Sequence, residues 1–387
     1  MNVLLSTMNF AAGGVSKAFL EVIAICEKNN INYDVVVESS DGPYLKYINS
    51  DKIHVINVKS KFFVKLLNDY KHHNKNTTLL NRCLIVIAKI LKRIVPINII
   101  YLLASLCSEP INKNYDCVID FHGYGVFSTY YLAFNYSGCK KYSWIHDEKA
   151  LFIKYNKLAL KQFDILVCVS NSCKAKVKAV FPTFNNVEVV HNIINKDELI
   201  KQSNEYEIVF QKTTLLSIGR LEYQKGFDII PLVARKLLND DCDFQWLIIG
   251  SGSLKEELEE LIYNNGVSNT VKLLGFIENP MPYMKACDIY VQTSLHEGYP
   301  TTVSEALVMN KIIVGTDLPS MYEATQSINN HLLVNRDVES LYGIISKLIR
   351  DQKLYNQLSQ VLKNSKIRCY EDEFVELLTQ KSRPLKI

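Results

Sequence analysis

Short apolar segments of strand character alternate with helical or looped stretches along this chain, and the alternation constrains the fold more than any other feature. In the first half the strand-like segments cover residues 3–6, 34–38, 53–58, 117–121, 142–145, 165–170 and 187–190. Residues 13–14 form a glycine turn, and residues 15–27 that follow carry helical spacing. Repeated strand and helix units predict an α/β fold built on parallel, doubly wound sheets.

A polar stretch at residues 192–211 interrupts the alternation, which restarts with the strand-like segment TTLLSIG at residues 213–219. The 387 residues are too many for one ordinary core and suit two α/β domains. We therefore predict an N-terminal domain over residues 1–195 and a C-terminal domain over residues 196–370. The final segment, residues 371–387, is expected to pack back on the first domain.

Charge and cysteine usage limit the possible partners and the compartment. The net charge of +4 is small for this length and argues against bulk binding of nucleic acid. Ten cysteines are scattered singly, several inside apolar runs, which is typical of reduced thiols in a cytoplasmic protein. The N-terminus lacks the features of a secretion signal. A cytoplasmic location without a nucleic-acid partner is the expectation.

A basic and apolar stretch lies near the middle of the first half. Residues 79–107 are apolar but are interrupted by Arg82, Lys89 and Pro96, so they are not expected to span a bilayer. From residue 59 to residue 93 the charged residues are Lys or Arg, with Asp69 the lone acid. Such a stretch could lie on the inner face of the plasma membrane or pack on its own domain. Both interpretations stay open here.

Polar and glycine residues of interest lie directly after predicted strands. They are Gly13 and Gly14, His122, His146, Arg220 and Glu297. Parallel sheets bind ligands beyond the carboxyl ends of their strands, where loops lead into helix N-termini. These positions are therefore the candidates for chemistry.

The segments SIGRLEYQKGFD at residues 217–228 and VKLLGFIENPMPYMKACDIYVQTSLHEGYPTTVSEAL at residues 271–307 resemble glycosyltransferase family 4. That family contains two glutamates separated by seven residues, which match Glu297 and Glu305. The resemblance implies the GT-B fold, in which two Rossmann-like domains face a central cleft. EGYPTTVSEAL together with SWIHDE looks most similar to bacterial enzymes that build capsular or other surface polysaccharides. Residues differ from the family pattern in loops around its sugar pocket, at Asn310, Ile312, Ser320 and His331.

The resemblance assigns a role to four charged residues of the C-terminal domain. Arg220 and Lys225 contact the donor diphosphate, Glu305 accepts hydrogen bonds from ribose hydroxyls, and Glu297 lies beside the donor sugar. Charge considerations support the first of these roles. A guanidinium fork and a mobile ammonium can both reach phosphate oxygens, and cations at a helix N-terminus are unfavourable without an anion.

The remaining site predictions follow from the same resemblance. His146 and Glu297 are the expected catalytic residues, and His122 is a weaker acceptor-side candidate. Backbone N–H groups where a helix starts near residue 301 would also meet phosphate. No metal is expected, because Asp241 and Asp243 sit in a turn at the wrong end of a strand. The full set of donor-side candidates is Arg220, Lys225, Glu305, Gly298, Pro300, Thr301, Thr302, Gly13 and Gly14.

The expected activity is transfer of a hexosyl unit from a nucleotide-diphosphate sugar to a saccharide acceptor, with retention of anomeric configuration. UDP is the expected nucleotide on family frequency alone, and no cofactor is expected. If the basic stretch lies on a membrane, the acceptor is lipid-linked. A sugar-nucleotide epimerase and a catalytically inactive partner subunit are the alternatives. A nicotinamide-dependent enzyme is disfavoured, because the glycine fingerprint of dinucleotide binding is missing.

Overall fold

The computed structural model describes residues 1–11, 13–67, 91, 93–147, 151–328 and 332–379. The chain divides into two compact units, Met1–His191 and Asn192–Ile387. Each unit has one wholly parallel sheet with helices between its strands. The predicted α/β class with doubly wound sheets is confirmed.

Seven strands form the sheet of the first unit, in the order β3-β2-β1-β4-β5-β6-β7. The strands are β1 (Asn2–Thr7), β2 (Asn32–Val37), β3 (Ile53–Val55), β4 (Cys117–Asp120), β5 (Lys140–Ile145), β6 (Ile165–Cys168) and β7 (Val187–Val189). The helices are α1 (Gly14–Lys28), α2 (Lys61–Leu67), α3 (Ile97–Leu106), α4 (Phe127–Asn135), α5 (Leu151–Leu160) and α6 (Asn171–Val180). Two short 3-10 helices cover Leu45–Tyr47 and Ser50–Lys52.

Six strands form the sheet of the second unit, in the order β10-β9-β8-β11-β12-β13. The strands are β8 (Thr213–Ile218), β9 (Phe244–Ile249), β10 (Val271–Gly275), β11 (Ile289–Gln292), β12 (Ile312–Thr316) and β13 (Leu333–Val334). The helices are α7 (Lys196–Ser203), α8 (Ile230–Asn239), α9 (Lys255–Asn264), α10 (Met281–Ala286), α11 (Thr301–Val308), α12 (Pro319–Ala324), α13 (Val338–Arg350), α14 (Gln352–Asn364) and α15 (Glu371–Thr379). Tyr223–Lys225 and Phe227–Ile229 are 3-10 helices.

Both sheets reverse their strand order beside their first strand. β1 lies between β2 and β4, and β8 lies between β9 and β11. The connections leave the two sides of such a point in opposite directions, which opens a crevice at the carboxyl ends of the strands. The loops after β1 and β4, and those after β8 and β11, are therefore the places to look for ligand-binding residues.

Burial of the strands explains why they could be predicted from apolar segments of the sequence. Strands of a parallel sheet are covered on both faces, so they read as apolar runs. Leu4 and Leu5 in β1 and Leu215 and Leu216 in β8 are fully buried. The helices bury one apolar face and end on identifiable caps, as where Asp337 accepts a hydrogen bond from the backbone N–H of Ser340 before α13.

Several details differ from the sequence predictions. The predicted strand at 53–58 ends at Val55, and Val58 forms an isolated antiparallel bridge with Ser108. β13 was not predicted, because two residues carry no detectable alternation. Most of the basic stretch lies outside the described residues, as do His331 and residues 380–387. Packing of the C-terminal segment on the first domain stays a prediction.

Candidate active site

The loop after β8 carries Arg220 and Lys225 and is tightly packed against the loop after β11. Lys225 ends a 3-10 helix, and Gly226 follows it with a left-handed φ of 62°. A Cβ atom at Gly226 would lie 2.3 Å from the carbonyl oxygen of Thr293. Only glycine allows this close approach, which holds the lysine beside the second loop.

Lys225 and Glu297 form a buried ion pair. The distance from Lys225 Nζ to Glu297 Oε1 is 2.6 Å, and the two side chains are 15% and 6% exposed. The same oxygen accepts hydrogen bonds from Ser294 Oγ at 2.6 Å and from Gln292 Nε2 at 2.9 Å. Three donors on one oxygen hold the carboxylate in a single orientation, and removal of one ion would leave the other buried without its counter-charge.

A series of hydrogen bonds between buried side chains connects Tyr290 to this ion pair. Tyr290 donates from its hydroxyl to Gln292 Oε1 at 2.7 Å, and Gln292 Nε2 in turn donates to Ser294 Oγ at 2.7 Å. Burial raises the pKa of the Tyr290 hydroxyl, and the charges of Glu305 and Glu297 raise it further. Both glutamates of the predicted pair therefore act on the same buried phenol.

Arg220 is exposed and joins this network through a bridging glutamine. Its Nη2 donates to Gln224 Oε1 at 3.4 Å, and Gln224 Nε2 donates to the carbonyl oxygen of His296 at 3.0 Å. Gln224 thereby connects the arginine to the residue immediately before Glu297. The exposed guanidinium keeps donors available for a ligand.

Helix α11 begins four residues after Glu297. Pro300 is its N-cap residue and Thr301 its first residue, so the first turn of the helix follows directly on the loop that carries Glu297. Gly298 and Pro300 are buried, and Thr301 and Thr302 are half-buried. Thr302 Oγ1 lies 3.5 Å from Gln292 Oε1, which ties the helix start to the same series of hydrogen bonds. In the next turn Glu305 is 7% exposed.

Arg336 also belongs to the candidate site, although the sequence patterns did not indicate it. Its Nε donates to the carbonyl oxygen of Thr293 at 3.0 Å, and its Nη2 donates to Gly226 O at 3.1 Å and to Asp228 Oδ1 at 2.5 Å. One side chain thus clamps the lysine loop to the glutamate loop. Gln292 and Ser294 were also missed, although polar residues at the end of an apolar strand were a usable signal.

In the first unit, His146 follows β5 and is buried. Its Nε2 lies 2.6 Å from the carbonyl oxygen of Phe121, so this nitrogen carries the proton and Nδ1 is the acceptor. Burial lowers the pKa of His146 to about 4, with the neighbouring charge of His122 adding to the effect. The side chain is therefore a neutral imidazole at neutral pH.

His122 and Asp120 lie at the carboxyl end of β4. Burial lowers the pKa of His122 to about 4. Asp120 is fully buried and accepts hydrogen bonds from Ser143 Oγ at 2.9 Å and Ser6 Oγ at 3.4 Å. Burial raises the pKa of Asp120 to about 6. The acid ties three neighbouring strands together and positions the loop that carries His122.

Gly13 and Gly14 are located where β1 leads into helix α1. Gly13 is the N-cap residue of this helix and Gly14 its first residue. A Cβ atom at Gly13 would have no neighbour within 4 Å. The backbone there is open to a ligand, which is compatible with the predicted close approach. The roles predicted for all of these site residues stay predictions.

Across the described residues, no group of three or more His, Cys, Asp or Glu side chains could hold a metal ion. Asp241 lies between α8 and β9 with a left-handed φ of 54°, which fits the turn predicted there. Metal independence itself stays a prediction.

Residues 196–364 match the family model described as glycosyl transferases group 1. This part of the chain is therefore similar to that family. The match covers α7 to α14 and includes Arg220, Lys225, Glu297, Glu305 and Arg336. The resemblance to a GT-B glycosyltransferase is confirmed, whereas the narrower assignment to family 4 stays a prediction.

Curated proteins of similar sequence agree with this match. An uncharacterized glycosyltransferase of Methanocaldococcus jannaschii is 28% identical over 247 residues, which cover 58% of this chain and 61% of that protein. The N-acetylgalactosamine-N,N'-diacetylbacillosaminyl-diphospho-undecaprenol 4-alpha-N-acetylgalactosaminyltransferase of Campylobacter jejuni is 31% identical over 43% of this chain and 45% of its own length. The chain thus spans about half the length of the curated relatives that it matches.

The fold of the whole chain resembles that of a solved glycosyltransferase structure. A TarM variant of Staphylococcus aureus, crystallised with fondaparinux, alpha-GlcNAc-glycerol and UDP, matches with a TM-score of 0.72 at 14% identity. The match covers 98% of this chain and 100% of that chain. The predicted GT-B fold is therefore confirmed for this chain.

Proposed function

We propose that this protein transfers a hexosyl unit from a UDP-sugar to a saccharide acceptor, with retention of anomeric configuration and without a metal. The observation that carries the proposal is the buried Lys225–Glu297 pair at the switch point of the second sheet, inside the group 1 family match. A buried lysine and glutamate held by further hydrogen bonds are unusual as mere structure, because desolvating both charges is costly.

Chemistry at the donor diphosphate would fall to the cations of the second unit. As the glycosidic bond breaks, negative charge grows on the leaving diphosphate and needs fixed positive partners. Arg220 offers a forked guanidinium, Lys225 an ammonium, and the first turn of α11 backbone N–H groups. Glu305 would accept hydrogen bonds from the two ribose hydroxyls. This set supplies the charge compensation that a divalent ion provides in other transferases.

At the sugar, His146 and Glu297 would act as hydrogen-bond partners and not as proton donors. The His146 imidazole is neutral, and its Nδ1 can accept a hydrogen bond from a sugar hydroxyl. Glu297 is already engaged by three donors through Oε1. We therefore favour front-face attack, in which the acceptor hydroxyl loses its proton to the leaving phosphate. NMR of the product linkage tests this mechanism, and an inverted anomer contradicts it.

The proposed substrates come from the matched proteins. The TarM structure contains UDP, and the Campylobacter relative is named for a diphospho-undecaprenol acceptor. We infer a UDP-sugar donor and a lipid-linked saccharide acceptor, in the synthesis of a surface polysaccharide such as a capsule. This placement implies a cytoplasmic protein at the inner face of the plasma membrane.

Helix α3 supports contact with a membrane surface. Ile99, Leu103 and Leu106 lie at helical spacing and are 43%, 44% and 62% exposed, whereas Ile100 and Ala104 on the other face are buried. No helix in the described part of the chain is long and apolar enough to cross a bilayer. This exposed apolar face, which follows the basic stretch in the sequence, would lie in the headgroup layer of anionic lipid.

Liposome flotation tests this contact. The double substitution Leu103→Ser and Leu106→Ser should reduce flotation with anionic vesicles at low salt, because it removes apolar area from the proposed surface. Leu232→Ser, at an exposed leucine of the second unit, is the matched control and should float like the unmodified protein. If the unmodified protein does not float at all, the membrane proposal is wrong.

Transfer itself is tested in two stages. A thermal-shift screen of nucleotide sugars should give a clear rise in Tm with UDP-sugars, since a ligand present far above its Kd adds a few kcal/mol of stability. The best donor is then incubated with saccharide acceptors in the presence of EDTA. Acceptor-dependent release of UDP supports the proposal. Turnover of the sugar without acceptor indicates an epimerase, and binding without any turnover indicates an inactive subunit.

A further inference from the structure

The loop after β4 contains three consecutive residues in the left-handed region of backbone space. The φ angles of Gly123, Tyr124 and Gly125 are 66°, 59° and 63°. A left-handed conformation costs an ordinary residue roughly 1 to 2 kcal/mol, because its Cβ approaches the following carbonyl oxygen. Tyrosine is therefore the one costly residue in this turn.

Close packing explains the two glycines of this turn, but it does not explain the tyrosine between them. A Cβ atom at Gly123 would lie 2.0 Å from the carbonyl oxygen of Trp144, and one at Gly125 would lie 2.2 Å from Asn156 Nδ2. Close packing against the Trp144 backbone and against the Asn156 side chain therefore favours glycine at positions 123 and 125. A third glycine at position 124 would remove the strain. Strain retained at a single bulky residue is typical of a functional position.

The Tyr124 ring lies among imidazole and phenyl rings near the carboxyl ends of β4 and β5. Its ring centroid is 6.3 Å from that of His146 in a stacked arrangement, 5.6 Å from that of His122 and 5.3 Å from that of Phe152. Tyr124 itself is only partly buried. The group presents apolar ring surface together with two imidazoles.

The support beneath the turn is rigid. The backbone N–H of Gly123 donates to Asp120 Oδ1 at 3.4 Å, and His146 Nε2 donates to the carbonyl oxygen of Phe121. These contacts anchor the group at the carboxyl ends of β4 and β5, beside the switch point at β1. Tyr124 is therefore held in place before any ligand arrives.

We propose that the Tyr124 ring is a stacking platform for a pyranose ring of the saccharide substrate, with His122 and His146 contacting the hydroxyls of that ring. One face of a pyranose carries axial C–H bonds and is apolar enough to lie on an aromatic ring, while the equatorial hydroxyls point to the sides. Neutral imidazoles match uncharged hydroxyls and would repel neither donor nor acceptor. This inference rests on the proposed function and names a residue of the same reaction.

Kinetics of two substitutions test the platform. Tyr124→Gly removes the ring and relieves the backbone strain, so its Tm should stay within a few degrees of the unmodified protein. Its KM for the donor or the acceptor should rise about tenfold or more, and the substrate affected identifies the sugar on the platform. Tyr124→Phe keeps the stacking surface and should stay within about threefold. Tyr155→Asn, at an exposed tyrosine of the same unit, is the control and should change neither KM.

A direct binding measurement separates this inference from the proposed function. Saturation-transfer NMR on the full chain with UDP uses methyl pyranosides of glucose, galactose, N-acetylglucosamine and N-acetylgalactosamine. Saturation should reach the C–H protons of at least one glycoside and be lost in Tyr124→Gly. If sugar transfer is measured but both KM values and the NMR signal are unchanged in Tyr124→Gly, the platform is wrong. Platform binding without transfer by the unmodified protein would instead overturn the proposed function.

Discussion

The two parallel sheets reverse their order in the same way, yet they place different chemistry beyond the point of reversal. Beyond β8 and β11 lie an ion pair, an exposed arginine and a clamping arginine. Beyond β4 and β5 lie two histidines whose pKa values are about 4, and the buried acid Asp120 at the end of β4 holds strands and a turn together. Cationic groups lie beyond the strands of one sheet, and neutral rings lie beyond the strands of the other.

The difference teaches that the fold determines where a site lies and the loop residues determine what it binds. A diphosphate requires cations, so a phosphate site concentrates charge that is held by buried hydrogen bonds. A sugar ring requires stacking surface and neutral hydrogen-bonding groups. The proposed division of labour between the units predicts that substitutions in one should affect nucleotide binding and substitutions in the other should affect sugar binding.

The largest effect is expected from breaking the charged pair. Lys225→Met removes the proposed donor to the leaving diphosphate and should lower kcat/KM about 100- to 1000-fold. It also leaves Glu297 buried without its counter-ion, which should lower the free energy of unfolding by about 3 kcal/mol. Steady-state kinetics and chemical denaturation measure the two effects.

A second substitution separates stability from activity at this pair. Adding Glu297→Gln to Lys225→Met removes the orphaned charge, so stability should largely return while activity does not. Lys255→Met, at an exposed lysine paired along helix α9, is the control and should change both quantities little. Recovery of activity in the double variant would mean that Lys225 serves only to neutralise Glu297.

The next effect concerns the nucleotide. Glu305→Gln should raise the Kd of UDP about 10- to 100-fold, because hydrogen bonds to a charged group contribute about 1.5 to 3 kcal/mol. The effect should be smaller for 2'-deoxy-UDP, which lacks one of the two hydroxyls. Isothermal titration measures both ligands, with Glu260→Gln on the exposed face of α9 as the control. Equal losses for the two ligands would show that Glu305 does not bind the diol.

Sequence patterns predicted which strands the candidate residues follow, but they did not predict the contacts between those residues. The alternation of segments and the family resemblance together placed Lys225 and Glu297 after two strands of one sheet. Their direct contact joins residues 72 positions apart, and no periodicity encodes such a pairing. Arg336 lies farther still, after a two-residue strand that could not be predicted. The strain at Tyr124 was invisible because a Gly-Tyr-Gly triplet suits many turns.

Substitution of Arg336 tests whether holding the lysine loop against the glutamate loop matters for activity. Arg336→Met should lower kcat/KM about tenfold by loosening the lysine loop from the glutamate loop, although Arg336 itself is not proposed to touch substrate. Because the loss is one of positioning, kcat and the Kd of UDP should both worsen. Arg235→Met, at an exposed arginine of α8, serves as the control. A change in Tm without any change in kinetics would assign Arg336 a purely structural role.

The smallest effect is the pH dependence of the stability of the first unit. His146 has a folded pKa of about 4, below its ordinary value, so the unfolded chain binds the proton more readily. Its contribution to stability is therefore complete above pH 6.5 and is lost as the pH falls. Between pH 7.5 and pH 6 the loss should be about 1 kcal/mol or less. Glu38 and Asp120, whose pKa values burial raises to about 7 and about 6, act in the opposite direction over the same range.

Because these contributions overlap, the comparison must be made between variants and not along one pH curve. His146→Asn keeps an N–H group for the Phe121 carbonyl oxygen but does not titrate. In a Trp246→Phe background, fluorescence of Trp144 reports unfolding of the first unit alone, since Trp144 lies in β5. The stability of His146→Asn relative to its parent should improve as the pH falls from 7.5 to 6. Parallel curves would mean that this histidine is not held neutral by burial, and the contrast between the two units would lose its basis.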